Sequence, residues 1–287
     1  MPSPVSPPSP PVPPIELASP ACRVIAVANQ KGGVGKTTTT VNLATAMAAV
    51  GKRVLLVDAD PQGNASTGFG FGRTQRGAGC YEVLFDGLAI AGLVRATPVP
   101  GLSLVTASAD LAGADVQIAS LPRREYRLRD ALERCAADYD FVLIDCPPAL
   151  NLITVNALVA ANAILVPLQA EFYALEGISS LLQTVEAIKS RLNPDLEVQG
   201  VVLTMVDKRN GLAEAVTRDV RAFFGPLVYE TIIPRNVRVS EAPSHGKPVV
   251  LYDLKCSGSQ AYLALAGEVL RREARREPIP SSPLHAS

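Results

Sequence analysis

Residues 31–38 read Lys31-Gly32-Gly33-Val34-Gly35-Lys36-Thr37-Thr38. An apolar run over 23–29 leads into them, and a segment with Val41, Ala44 and Ala48 at helical spacing (36–50) leads out. A glycine-rich turn between a strand and a helix is the context that a phosphate-cradling loop requires. Its glycines allow close backbone approach to an anion. Successive N–H groups and the helix N-terminus then face the charge. Lys36 supplies a point charge to the β- and γ-phosphates, and the Thr37 hydroxyl suits Mg2+. The stretch therefore predicts ATP and Mg2+ as ligands, with Gly32, Gly33, Val34, Gly35, Lys36, Thr37 and Thr38 as the nucleotide contacts.

The rest of the chain alternates in the same way. Strand-like runs are expected at 53–57, 102–106, 141–144, 163–167, 198–205 and 227–233. Helix-like segments are expected at 123–137, 151–161, 175–192, 212–224 and 258–276. Such alternation implies an α/β fold: a three-layer P-loop NTPase with a mostly parallel twisted sheet flanked by helices. One domain is expected over 23–276. Residues 1–22 have proline at nearly every second position and lack the basic and apolar regions of a secretory signal, so they read as a disordered Pro-rich arm. Residues 277–287 read as a flexible tail.

Composition sets limits. The chain has 287 residues and no net formal charge, so charge alone does not announce a nucleic-acid binder. No apolar run is long enough for a membrane span. The five cysteines are scattered without a CxxC pair and read as reduced thiols. No G-x-S-x-G or H-E-x-x-H pattern suggests another chemistry, and His245 lies in a turn-like Pro243–Pro248 segment.

Ligands of open α/β folds bind at the carboxyl edge of the sheet. Two runs deliver acids there. Val54–Val57 ends on Asp58-Ala59-Asp60-Pro61-Gln62-Gly63, and Phe141–Ile144 ends on Asp145. Asp145 fits an acid that holds Mg2+ through water, whereas Asp58 is open to a purely structural reading. A general phosphate loop has glycine at position 30; here Gln30 stands there and a second lysine, Lys31, follows. From the residues alone, Lys31 is either an exposed loop lysine or a ligand to something outside its own subunit.

At this point the sequence resembles the deviant Walker-A family, the group of ParA, MinD and the nitrogenase iron protein. The segment Ile233-Pro234-Arg235-Asn236-Val237-Arg238-Val239-Ser240-Glu241-Ala242-Pro243-Ser244-His245-Gly246-Lys247-Pro248 looks like that of chromosomal ParA/Soj proteins. So do Gln169–Gly177 and Leu203–Asp207, and the resemblance covers roughly residues 23–272. It implies that Lys31 reaches the nucleotide of a second subunit in an ATP-sandwich homodimer. It implies that Asp60 positions the attacking water, with Lys31, Asp60 and Asp145 as catalytic residues and Thr37, Asp60 and Asp145 around the metal. Pro234 by packing and Asn236 by its amide are the implied adenine contacts.

Between 205 and 260, eight Lys/Arg face six acids. By charge alone this is a mixed solvated face. The resemblance favours non-specific binding of double-stranded DNA, with Arg209, Arg238 and Lys247 as phosphate contacts. It further implies a cytoplasmic, nucleoid-associated ATPase, slow unless stimulated by a ParB/Spo0J-like centromere-binding partner, that segregates a chromosome or plasmid. The alternatives are a MinD-like division-site ATPase on membranes and a nucleotide-dependent scaffold with little hydrolysis. The last helix places Tyr262, Leu263, Ala266, Val269 and Leu270 at core spacing, which argues against membrane insertion.

Overall fold

Runs such as Val54-Leu55-Leu56-Val57 are apolar at every position because both faces of the strand are covered. The computed structural model describes residues 22–113, 117–171, 174–207, 209 and 211–275. The Pro-rich arm, apart from Cys22, and the tail over 277–287 lie outside the described residues.

Seven strands form one sheet: β1 Arg23–Val27, β2 Val54–Asp58, β3 Arg95–Ala96, β4 Leu102–Val105, β5 Phe141–Asp145, β6 Ala163–Gln169 and β7 Glu197–Thr204. Their order is β3-β4-β2-β5-β1-β6-β7, and all neighbours are parallel except the short edge pair β3 and β4. The helices, in chain order, are α1 Lys36–Ala49, α2 Asn64–Gly68, α3 Cys80–Phe85, α4 Arg127–Glu133, α5 Leu152–Ala160, α6 Ala174–Arg191, α7 Gly211–Phe224, α8 Val237–Glu241, α9 Val249–Tyr252 and α10 Ser257–Ala274.

Successive strand residues point to opposite faces, so the sheet divides the core in two. Val24, Leu55, Val142 and Ile164 pack against α3 to α7. Ile25, Leu56, Leu143 and Leu165 pack against α1, α9 and α10. This is the three-layer arrangement expected from the alternation. Fully burying one such side chain contributes about 1.5–3 kcal/mol, so these two clusters hold the strand ends rigidly. Tyr262, Ala266 and Val269 of α10 are buried in the second cluster, as their spacing predicts.

Two expectations are corrected. The helix expected over 123–137 is broken into α4 and a 3-10 turn at Ala136–Asp138, and Arg123, with φ 51°, lies outside the right-handed helical region. The run 227–233 is not a strand. A 3-10 turn covers Gly225–Leu227, and only isolated bridges join Val228 to Val201 and Pro234 to Val206. Between those bridges the N–H groups of Glu230 and Thr231 donate to the Glu268 carboxylate, at 2.9 and 3.0 Å. Tyr229 N and Ile233 N still donate to Val201 O and Leu203 O of β7 at 2.9 Å, so the Glu268 side chain of α10 interrupts a ladder between them.

Candidate functional site

Parallel strands bring their loops to one edge. There β1 ends in the 31–38 loop, β2 ends at Asp58 and β5 at Asp145, and the last two pair directly across the sheet. Gly35 caps α1 with φ 88°, a conformation that a side chain disfavours, and its carbonyl accepts the first helical bond from Thr39 N at 2.8 Å. The loop and α1 open into a cavity of about 450 Å³. Gly32, Gly33, Gly35, Lys36, Thr37 and Thr38 line one side. Asp60, Gln62, Asn64 and Thr67 line a second, and Pro243, Lys247 and Pro248 a third.

Lys36 is buried, and its ammonium donates to the Lys31 carbonyl at 3.1 Å. Burial lowers its pKa, opposed by the charges of Asp145 and Asp60. Asp145 is fully buried; one carboxylate oxygen lies 3.1 Å from Thr40 Oγ1 and the other has no hydrogen-bond partner among the described residues. Burial raises its pKa, with the Asp58 charge adding to the effect. Asp58, also fully buried, accepts from Ser66 N and Oγ at 2.7 and 2.6 Å. Burial pushes it up to about 6 despite those bonds. Its use as an anchor for α2 favours the structural reading of Asp58. Asp60 faces the cavity, with Oδ1 accepting from Gln62 N at 2.9 Å.

A buried carboxylate oxygen without a partner, beside a threonine hydroxyl and a buried lysine, fits a hard cation that keeps most of its waters. No group of three or more His, Cys, Asp or Glu that could hold a metal occurs among the described residues. Thr37, Asp145 and Asp60 are the residues that would hold such a hard cation.

Lys31 lies on the outer lip. Its ammonium pairs with Glu171 at 2.6 Å, and the two side chains are 39% and 46% exposed. Pro234 and Asn236 are not among the cavity's lining residues. The Asn236 amide is used within the chain: its oxygen caps α8 through Arg238 N at 2.8 Å and its nitrogen donates to Ser257 Oγ at 2.8 Å. Of the expected DNA contacts, Lys247 is exposed on the cavity wall. Arg209 forks onto Asp207 at 2.8 and 3.0 Å. Arg238 pairs with Glu241 at 2.9 Å and Asp253 at 3.6 Å. Asn64 and Thr67 were missed in the sequence; their only signal is proximity to the Asp60-Pro61-Gln62-Gly63 turn.

Comparison with known proteins agrees with this geometry. A family profile described as an AAA domain matches residues 22–198. The chain is 61% identical over 257 residues to the chromosome partitioning protein ParA of Caulobacter vibrioides, covering 89% of this chain and 96% of that one. It is 49% identical over 247 residues to the sporulation initiation inhibitor protein Soj of Bacillus subtilis, covering 86% and 98%. Among solved structures, cobyrinic acid a,c-diamide synthase from Mycobacterium smegmatis with bound ADP and magnesium superposes with TM-score 0.78 at 36% identity, covering 91% and 98%. The cell division ATPase MinD of Pyrococcus furiosus gives 0.72 at 25%, covering 87% and 98%. Identity of this extent, over almost the whole described chain and with the phosphate loop inside it, means that the chain belongs to the ParA/Soj family of chromosome-partitioning proteins.

Proposed function

We propose that this chain is a Mg2+-dependent ATPase that partitions DNA by switching between a single subunit and an ATP-bound sandwich dimer. The observation that carries the reading is the pair of lysines. Lys36 is buried within the cavity, whereas Lys31 is half-exposed on its lip and faces outward to Glu171. On this reading one lysine serves the subunit's own nucleotide and the second serves another's, which the different exposure of the two supports.

ATP occupies the 31–38 loop, with Lys36 on the β/γ-phosphates. Bound Mg2+ supplies charge neutralisation at those phosphates. Asp60 orients the attacking water, and Gln62 N holds one oxygen of its carboxylate in place. Phosphoryl transfer needs positioning and charge stabilisation above all, so a weak base suffices. The adenine lies toward Pro234 and Asn236, which requires the 234–236 turn to move or the base to lie beyond the cavity rim.

The dimer binds double-stranded DNA without reading sequence. Arg209, Arg238 and Lys247 are the contacts, and two subunits double a modest charge excess. Phosphates displace Asp207, Glu241 and Asp253 from the two arginines, and the affinity falls with salt because each neutralised phosphate releases counterions. A ParB/Spo0J-like partner accelerates an otherwise slow hydrolysis and releases the DNA, so the protein is nucleoid-associated in the cytoplasm. A membrane-bound MinD-like role finds no support in α10, whose apolar face is in the core. No helix among the described residues is long and apolar enough to cross a membrane.

DNA retention with ATP, with ADP, and with ATP on Lys31→Ala tests the reading. The wild type with ATP is expected to retain DNA, and the other two are not. Equal retention in all three would overturn the dimer switch.

A further inference from the structure

Arg76 is a buried cation that the proposed reaction has not used. It follows an exposed turn, Arg73–Gln75, yet is itself only 6% exposed. Its guanidinium makes no ion pair with a carboxylate among the described residues. It bonds three neutral acceptors instead: Nη1 to Gln62 O at 3.2 Å, Nη2 to Thr67 Oγ1 at 3.0 Å and Nε to Phe71 O at 3.4 Å. The buried Asp58 carboxylate acts on it only through space, and burying a charge with no directly bonded counter-ion is costly. A packing role alone would be filled at lower cost by an apolar side chain of similar length.

All three acceptors lie within 62–71, the loop and short helix that leave Asp60. We propose that Arg76 is a positioning residue that fixes the orientation of the Asp60 carboxylate through the backbone of Gln62. The N–H of Gln62 donates to Asp60 Oδ1, and the C=O of the same residue accepts from Arg76. One residue is therefore gripped from both sides, by the water-orienting acid on one and by a planar cation on the other. Gln62 and Thr67, both held by Arg76, line the cavity.

The loop is shaped around this guanidinium. Gly63 has φ 63°, and a Cβ built there would lie 1.8 Å from Arg76 Nη1. Any side chain at 63 would expel the cation. Arg76 is anchored from behind, because its own carbonyl accepts from Thr106 Oγ1 at 3.0 Å and Arg95 Nη2 at 3.2 Å. Thr106 directly follows β4 and is fully buried. The link therefore runs from the sheet edge through Arg76 and Gln62 to Asp60. Lysine could not replace it, since its three donors radiate from one nitrogen, whereas the three acceptors are met by three separate guanidinium nitrogens.

This inference rests on the ATPase reading for its chemical consequence, but its structural content is measured separately. Hydrogen exchange is followed in full-length wild type, Arg76→Gln and Arg76→Lys, each with Mg·ADP. The amides of 62–71 are expected to exchange about tenfold faster or more in both variants. Those of 31–38, and the unfolding temperature, are expected to stay unchanged. In single-turnover hydrolysis, the rate of both variants should fall about tenfold or more with ADP affinity retained. Low-millimolar guanidinium should restore part of the rate to Arg76→Gln, and urea at equal concentration should not. Unchanged exchange over 62–71 would overturn the proposal, as would faster exchange spread evenly over the chain or a failure of guanidinium to rescue. A wild type that hydrolyses no ATP with DNA and partner present would sink the ATPase reading alone, leaving the exchange result to decide the role of Arg76.

Discussion

Lys31 and Glu171 form a pair open to water on both sides, with nearly half of each side chain exposed. Such a pair contributes about 0–1 kcal/mol. It holds the lysine without trapping it, and a triphosphate carrying several charges competes easily for the same ammonium. Asp60 is in the opposite situation, enclosed and bonded to Gln62 N. On the proposed mechanism, Asp60→Asn keeps the shape of the loop but weakens the orientation of water. Single-turnover phosphate release is expected to fall about 100-fold or more, while Mg·ATP binding measured by calorimetry weakens by about tenfold or less, so that the rate loss exceeds the binding loss.

At this scale the phosphate loop and the acids at strand ends were legible, because glycines and charges there have few other uses in combination. Asn236 shows where legibility stops. A short amide before a helix is also a good N-cap, and that is how the chain uses it. Arg76 gave no signal at all, since one arginine in a polar stretch reads as solvated until the fold buries it.

Among the elements, the strands could be read because fully covered strands are apolar throughout, and the long helices because their apolar positions recur. Helices α2, α8 and α9 span four or five residues each, too few for any periodicity to show. The segment after α7 looked like a strand for a sound reason, since Val228, Tyr229 and Ile233 are all buried. Its backbone bonds, however, are shared with Glu268, which also pairs with Arg272 at 3.0 Å.

Burial raises the Glu268 pKa, but the N–H groups of Thr231 and Glu230 and the Arg272 charge outweigh it, and the net shift is downward. A depressed carboxyl pKa contributes stability that is present above the unfolded value, near 4.5, and is lost as pH falls through the folded value. Glu268→Gln should therefore cost about 1–3 kcal/mol at neutral pH, by loss of charge-assisted bonds. Urea titrations across pH should show the gap between the two proteins narrowing below about pH 4.5. A gap independent of pH would show that the carboxylate charge is not what holds the segment.

For the whole molecule, the parallel sheet brings the phosphate loop and the acids to one edge. The loop after β1, Asp60 after β2 and Lys247 line the cavity, and Asp145 ends β5 beside Asp58 at the same edge. What the sequence could not disclose is how the positive groups would be compensated. Eight basic residues against six acids leave a small excess, and in the fold two of the three expected contacts already sit beside acids. Pairing of this kind depends on side chains meeting across turns, which no linear charge count contains.

The opposite edge carries the clasp between the two ends of the described chain. Arg23, the first residue of β1, bonds Glu273 in the last turn of α10 at 3.1 Å and also pairs with Glu197 at the start of β7. The start of β1 and the end of α10 are thus tied to each other by a side-chain ion pair. A short linker between them, with new termini opened at the exposed Pro194–Asp195 bond, would give a circular permutant whose cut lies on the same edge. Such a permutant is expected to fold and to bind Mg·ADP within about threefold of the parent. Loss of binding in a folded permutant would mean that the order of the segments, and not only their final contacts, shapes the nucleotide edge.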